Sequence, residues 1–131
     1  MIVLDASAAV ELLLATRLGA RVAALVASPT EVLVAPHLLD LEVAQVLQRL
    51  AAQKLLTPSR ADTALGDFAL LDIARYGHDV LLDRVWQLRA NLTAYDAAYV
   101  ALAEATGGTL VTCDAKLAAA PRHRAKISLV R

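Results

Sequence analysis

Four acidic side chains lie where an α/β protein would be expected to carry its chemistry. Asp5 ends the first apolar run of the chain and Asp114 ends a later one, so each is expected at the carboxyl end of a strand. Asp96 falls in the first turn of one predicted helix and Glu42 in the second turn of another. Because such helices begin at the carboxyl edge of a parallel sheet, we expect all four carboxylates to gather there.

A group of acids without basic partners indicates cation binding. Like charges at close range raise one another's pKa, so the group has to hold either protons or cations. Oxygen ligands favour Mg²⁺ or Mn²⁺ over zinc. These ions activate water and neutralise charge on a phosphoryl group. Hydrolysis of a phosphodiester is the reaction that these residues suit best.

Each acid also has a structural interpretation. Asp5 and Asp114 each precede a predicted helix and suit the N-cap position. Asp96 follows Thr93 at the spacing of a capping box, where its charge also favours the helix dipole. Glu42 lies at the border of the apolar stripe of its helix, where an unpaired buried glutamate would be costly. The acids are therefore helix caps, metal ligands or both.

Alternating apolar runs and helical patterns predict an α/β fold: a mostly parallel sheet flanked by helices, in a single domain spanning residues 1–131. Strands are expected at residues 2–4, 32–35, within 69–75, and at 109–113 and 127–130. Helices are expected at residues 8–14, 21–26, 37–54, from 57 onward, and at 79–89, 93–107 and 115–119.

Composition limits the possible partners. Hydrophobic residues make up 58% of the chain, above the usual share of about 45–50%, so we expect an extra buried interface with a second copy or a tightly bound partner. Net charge is zero, which argues against nucleic-acid binding by the surface as a whole. No apolar run approaches the ~18 residues needed to span a bilayer, and the N-terminus lacks a basic signal-peptide region. The single cysteine, Cys113, is predicted to be a buried structural thiol.

Three segments in order resemble the PIN-domain toxins of the VapC type. Residues 1–8, MIVLDASA, resemble the family's opening strand and its Asp-x-Ser turn. Residues 92–103, LTAYDAAYVALA, resemble its central helix, and residues 110–117, LVTCDAKL, its late strand and turn. Residues 36–42 match the region of the family's glutamate. The likeness spans nearly the whole chain.

The resemblance implies a PIN-like fold and an Mg²⁺- or Mn²⁺-dependent endoribonuclease, the toxin of a toxin–antitoxin pair. A cytoplasmic location is expected from the lack of a signal-peptide pattern and of a membrane-spanning run. It implies a homodimer that is held inactive by a cognate antitoxin, with operator DNA reached only through that antitoxin. Ser7 and Thr112 match positions that support the acids by hydrogen bonds. Ala115 and Lys116 fill the place where some members carry a further aspartate, which puts a second protein-anchored metal site in doubt. The metal-binding and catalytic acids would be Asp5, Glu42, Asp96 and Asp114.

Several other residues are candidates for contact with RNA. The chain after Asp114 is rich in lysine and arginine and has no acidic residue. Tyr95 is a candidate for stacking on a base, whereas Trp86 is predicted to lie in the core. The histidines, His37, His78 and His123, are too scattered in sequence to predict a catalytic pair. The side chains proposed to contact RNA phosphates, or else to be solvated, are Arg89, Lys116, Arg122 and Arg124.

Two other functions remain as alternatives. A receiver-type phosphoacceptor also places acids at strand ends, but it would need paired acids after the first strand, where Ala6 and Ser7 follow Asp5. A non-catalytic interaction module, with acids that only cap helices, predicts no metal-dependent RNA cleavage. A dinucleotide-binding domain is disfavoured, because the turn after the first strand has no glycine.

Overall fold

The computed structural model describes residues 1–131. Its five strands are β1 (Ile2–Leu4), β2 (Leu33–Pro36), β3 (Ile73–Tyr76), β4 (Thr109–Thr112) and β5 (Lys126–Leu129). All are parallel and form one sheet in the order β3-β2-β1-β4-β5. The predicted α/β fold is confirmed.

Seven helices surround this sheet: α1 (Ala6–Leu13), α2 (Arg17–Val26), α3 (Leu38–Ala52), α4 (Pro58–Leu70), α5 (Leu82–Gln87), α6 (Ala94–Thr106) and α7 (Ala115–Ala118). The helix predicted at residues 79–89 is split, with a 3₁₀ turn at Asp79–Leu81 before a short α5. Thr57 caps α4 ahead of Pro58, as predicted. The helix α6 ends at Gly107, whose φ of 69° favours glycine. No helix is both long and apolar enough to cross a membrane.

The core lies where the central strands meet the helices. Val3 and Leu4 of β1 and Leu110 and Val111 of β4 are almost fully buried, as expected of strands covered on both faces. The helices α1, α3 and α4 pack against one another, whereas α5 packs against α6. Because crossovers between parallel strands are right-handed, the reversal of strand order places these two groups on opposite faces.

The strand order creates a switch point between β1 and β4. From β1 the chain builds β2 and β3 on one side, and then crosses to place β4 and β5 on the other. Leu4 is paired with Val111, so the residues that follow β1 and β4 emerge side by side at the carboxyl edge. Ligands of open α/β sheets bind in the crevice outside such a switch point.

Candidate active site

Asp5 is fixed at the switch point by three donors. It is only 4% exposed and is the N-cap of α1. Its Oδ1 accepts hydrogen bonds from Ser7 Oγ at 2.7 Å and from the Ala8 N–H at 2.9 Å, and its Oδ2 accepts one from the Thr112 hydroxyl. Burial raises the pKa of Asp5, and the charge of Asp114 adds to this, while the three donors act against it.

The two hydroxyls also join the turn after β1 to the turn after β4. Ser7 Oγ accepts from the Cys113 N–H at 2.9 Å. Thr112 Oγ1 accepts from the Asp114 N–H at 3.0 Å. The two hydroxyls thus donate hydrogen bonds to Asp5 and accept hydrogen bonds from the backbone of the second turn. This arrangement holds the backbone that carries Asp114 beside the Asp5 carboxylate.

Asp114 is both a cap and a group with an uncommitted oxygen. It is the N-cap of α7, and its Oδ1 accepts from the backbone N–H groups of Lys116 at 2.9 Å and Leu117 at 3.4 Å. No hydrogen bond uses its Oδ2. The capping interpretation therefore accounts for one oxygen of Asp114 and leaves the other available.

Asp96 does not complete the capping box that its spacing predicts. Thr93 is the N-cap of α6, and its hydroxyl accepts from the Asp96 N–H at 3.2 Å. The reciprocal bond, from the Thr93 N–H to the Asp96 carboxylate, is not formed. Burial raises the pKa of Asp96 and Asp114 raises it further, while the Thr93 hydroxyl lowers it. The cap thus uses the backbone of Asp96 and does not require its acid.

Glu42 reaches the site from α3 with a partner that the sequence analysis missed. Its Oε1 accepts from the phenol of Tyr99 at 2.6 Å. Burial raises the pKa of Glu42; the Tyr99 hydrogen bond opposes this shift, and the charges of Asp96 and Asp5 increase it. Burial and the Glu42 carboxylate raise the pKa of Tyr99 far above its usual value, so the phenol stays protonated as a donor. The sequence feature that could have indicated this partner is the spacing of Tyr99, which lies one turn after Asp96 in a helix otherwise rich in alanine.

The four carboxylates therefore share one edge of the sheet, and none of them is neutralised by a basic side chain. Repulsion from another acid of the group contributes to the raised pKa of Asp5, Glu42 and Asp96. None of the four forms a salt bridge. No three acidic, histidine or cysteine side chains are close enough to hold one ion by themselves, so the predicted ligands do not form a preassembled cage. The donor set still fits Mg²⁺ or Mn²⁺, since Mg²⁺ keeps several waters and needs only one or two carboxylates.

Comparison with known proteins places this geometry in a family. A model of the PIN domain matches residues 2–123. The chain belongs to the PIN-domain family. A VapC ribonuclease of Mycobacterium bovis is 42% identical over 99% of this chain and 98% of its own length. Ribonuclease VapC12 of Mycobacterium tuberculosis is 41% identical, with 99% of each chain covered. The crystal structure of VapC20 of M. tuberculosis, a sarcin–ricin loop cleaving toxin, shares the fold: its TM-score is 0.68 at 16% identity, with 91% of this chain and 94% of that one covered.

The basic residues proposed for RNA contact are not all at the acidic edge of this PIN domain. Lys116 lies exposed in α7, directly after Asp114. Arg122 and Arg124 precede β5 and so lie at the amino edge, opposite the acids. The backbone N–H of Arg124 donates to Glu104 at 3.2 Å, and its guanidinium lies 3.8 Å from the same carboxylate. The structure therefore does not bring Arg122 and Arg124 to the site.

The prediction that Trp86 lies in the core is wrong. Its side chain is 66% exposed, and the guanidinium of Arg89 lies 4.5 Å from the centroid of its ring. The short α5 turns this face outward and buries Val85 and Leu88 instead. Tyr95 is 65% exposed and lies next to Asp96, where it is accessible to a ligand of the site.

The histidines lie outside the acidic site, whereas the prediction that Cys113 is a buried thiol is wrong. His37 and His78 are neighbours, with ring centroids 6.3 Å apart. Nε2 of His78 accepts from the Leu38 N–H at 3.0 Å, which gives α3 the capping bond that His37 does not supply. Cys113 is half-buried and lines a groove, and burial raises its pKa to about 11. None of these residues belongs to the group of four acids.

Proposed function

We propose that this PIN-domain protein is a VapC-type toxin endoribonuclease that requires Mg²⁺ or Mn²⁺, bound by Asp5, Glu42, Asp96 and Asp114. The observation that supports it is the placement of these acids at the switch point without a basic partner. Its relatives over the whole chain are named VapC ribonucleases. The alternative of acids that only cap helices explains Oδ1 of Asp5 and of Asp114. It does not explain why the Asp96 carboxylate makes no capping bond, or why Glu42, in the second turn of α3, faces the other acids.

The side chains divide the work of the site. A divalent ion, when bound, would supply charge neutralisation at the phosphoryl group and an acidified water. Asp5, held by Ser7 and Thr112, provides the rigid carboxylate. Lys116, exposed directly after Asp114, would contact an RNA phosphate next to the acids. A covalent protein nucleophile is not needed for hydrolysis by an ion-activated water, and the hydroxyls of Ser7 and Thr112 would instead orient the Asp5 carboxylate.

The test is RNA cleavage by partner-free protein. Purified protein is incubated with total RNA in EDTA and with millimolar Mg²⁺ or Mn²⁺, and the new ends are mapped by sequencing. We expect discrete cleavage with either ion and none in EDTA. Equal cleavage in EDTA would disprove the metal requirement. Intact RNA under every condition, with folded protein, would favour the non-catalytic interaction module.

We propose an antitoxin as the protein partner, because VapC20, which shares this fold, is a toxin. A groove of about 850 Å³ opens next to the acids, with Ser7, Cys113 and Asp114 at that end. The remainder of its lining is largely apolar, with Leu14, Leu18, Val46, Leu50 and Leu56 among its residues. Such a groove suits an apolar segment that ends on the acidic site. Coexpression with the neighbouring open reading frame and copurification tests this assignment.

We also propose a homodimer. Four large apolar side chains are each more than 60% exposed, which is unusual on a monomer: Leu41, Leu82, Trp86 and Tyr95. Shallow cavities that share Leu38 and Tyr95 connect this surface around α3, α5 and α6. A Trp86→Glu variant is expected to be monomeric in analytical ultracentrifugation, whereas the wild type sediments as a dimer. A monomeric wild type would contradict this proposal.

A further inference from the structure

We propose that Tyr99 is a positioning residue that holds the Glu42 carboxylate at the acidic edge and thereby sets the affinity of the site for divalent cations. This inference rests on the proposed function. The geometry is a single hydrogen bond, 2.6 Å long, from the phenol of Tyr99 to Oε1 of Glu42. It is the only hydrogen bond that either side chain makes.

The donor is fixed while its acceptor is not. Tyr99 is 2% exposed, and its ring belongs to the hydrophobic core. A buried tyrosine has two restricted side-chain torsions, so the position of its hydroxyl is defined by packing. Glu42 has three torsions and is only half-buried, on the side of α3 where exposed Leu41 and Gln45 line a shallow cavity. The conformation of Glu42 is therefore determined by Tyr99.

Electrostatics make this restraint necessary. Asp96 and Asp5 both repel the Glu42 carboxylate. Without a donor, the half-buried side chain would relieve that repulsion by rotating away from Asp96 and Asp5. The hydrogen bond from Tyr99 to a charged acceptor opposes this rotation, because bonds to ionised groups are roughly twice as strong as neutral ones.

The same bond connects the two layers of helices. Glu42 lies on α3, and Tyr99 lies on α6, one turn after Asp96. These helices cover opposite faces of the sheet, and this hydrogen bond joins them at its carboxyl edge. A contact between them fixes the separation of Glu42 and Asp96, two of the four acids. Groups that orient metal ligands in this way typically change metal affinity by about 10–100-fold when they are removed.

The experiment measures cation affinity and does not depend on activity. Mn²⁺ is titrated calorimetrically into metal-free wild-type protein and a Tyr99→Phe variant, which loses only the hydroxyl. Tyr76→Phe is the matched control, because Tyr76 is partly buried at the end of β3 and makes no side-chain hydrogen bond. We expect Tyr99→Phe to weaken Mn²⁺ binding by about tenfold or more, with Tyr76→Phe unchanged. An unchanged affinity in Tyr99→Phe would overturn the inference.

A double-mutant cycle separates positioning from a general structural effect. In a Glu42→Ala background, Tyr99→Phe is expected to change Mn²⁺ affinity by less than about twofold, because the residue it positions is gone. The full loss in that background would show that Tyr99 acts on the fold, and would overturn the inference. Failure of the proposed function gives a different result from failure of the inference. If the acids are not a cation site, the wild-type protein binds no Mn²⁺ at all. If only the inference fails, the wild-type and Tyr99→Phe proteins bind Mn²⁺ with equal affinity.

Discussion

Replacing Asp96 with glutamate separates the capping role of this residue from its proposed role as a metal ligand. The bond that caps α6 runs from the backbone N–H of residue 96 to the Thr93 hydroxyl and does not involve the side chain. The variant keeps that bond and also keeps a negative charge in the first turn, which is worth about 0.3–1 kcal/mol. Glutamate, moreover, is the residue that closes a capping box at this position. We expect the free energy of unfolding to stay within about 0.5 kcal/mol of the parent or to increase.

The acidic site tolerates this change poorly. The extra methylene displaces the carboxylate by about one C–C bond, roughly 1.5 Å. Mg²⁺ requires near-octahedral geometry with ligands at about 2.0–2.1 Å, and a misplacement of about 1 Å can reduce a rate by about a hundredfold. The carboxylate of Asp96 has no firm hydrogen bond within α6 that would return it to its place. Because the longer side chain can adjust in part, the expected effect is smaller than a hundredfold. We therefore expect RNA cleavage to be at least tenfold slower.

Both quantities are measured on one preparation. Urea unfolding gives the free energy of unfolding in EDTA, and single-turnover cleavage with saturating Mn²⁺ gives the rate. Asp67→Glu, on the exposed side of α4, is the matched control and should leave both unchanged. Full cleavage activity in a well-folded Asp96→Glu protein would refute the reasoning and leave Asp96 as a residue of the helix terminus alone.

Three further predictions test other parts of the site. Asp5→Asn should reduce cleavage at least about a hundredfold while α1 still forms, because asparagine caps a helix but is a weak ligand; activity within twofold of wild type would remove Asp5 from the site. Because the pKa values of Asp5, Glu42 and Asp96 are raised in the folded state, these three groups bind more protons above pH ~4 in the native protein than in the unfolded chain. The stability of the protein in EDTA should therefore fall as pH rises toward neutral, with a smaller fall in Asp5→Asn; equal slopes in urea titrations would contradict this. Lys116→Ala should weaken RNA binding and lower its salt dependence, whereas Arg124→Ala, at the opposite edge, should change neither; the reverse result in filter binding would contradict the placement.

The sequence was sufficient to predict the class of fold and the edge at which the acids lie. Short apolar runs such as Ile2–Leu4, each followed by a helix, have few parallel-sheet alternatives, and the position of Asp5 or Asp114 follows from the strand it ends. Pairing of β1 with β4 could not be predicted, because it joins segments more than 100 residues apart and no local pattern encodes it. That pairing is what makes the crevice between the two strands a switch point.

The errors have physical causes of the same kind. Sequence proximity to Asp114 suggested that Arg122 and Arg124 lie near the acids, but α7 carries the chain to the amino edge before β5 begins. Trp86 was expected in the core from its residue type, whereas the 3₁₀ turn before α5 determines which face is buried. The partner of Glu42 lies 57 residues away on another helix. Long-range contacts such as this one depend on packing, which a periodic pattern does not specify.

The most direct test of the proposed metal site is a Mn²⁺ titration of metal-free, partner-free protein without RNA. Wild type is compared with Asp5→Asn, and Asp67→Asn on α4 serves as the control for loss of an exposed acid. We predict saturable binding by the wild type and the control, and at least tenfold weaker binding by Asp5→Asn. Equal affinities in all three proteins, or no saturable binding at millimolar Mn²⁺, would contradict the assignment of the four acids as a cation site.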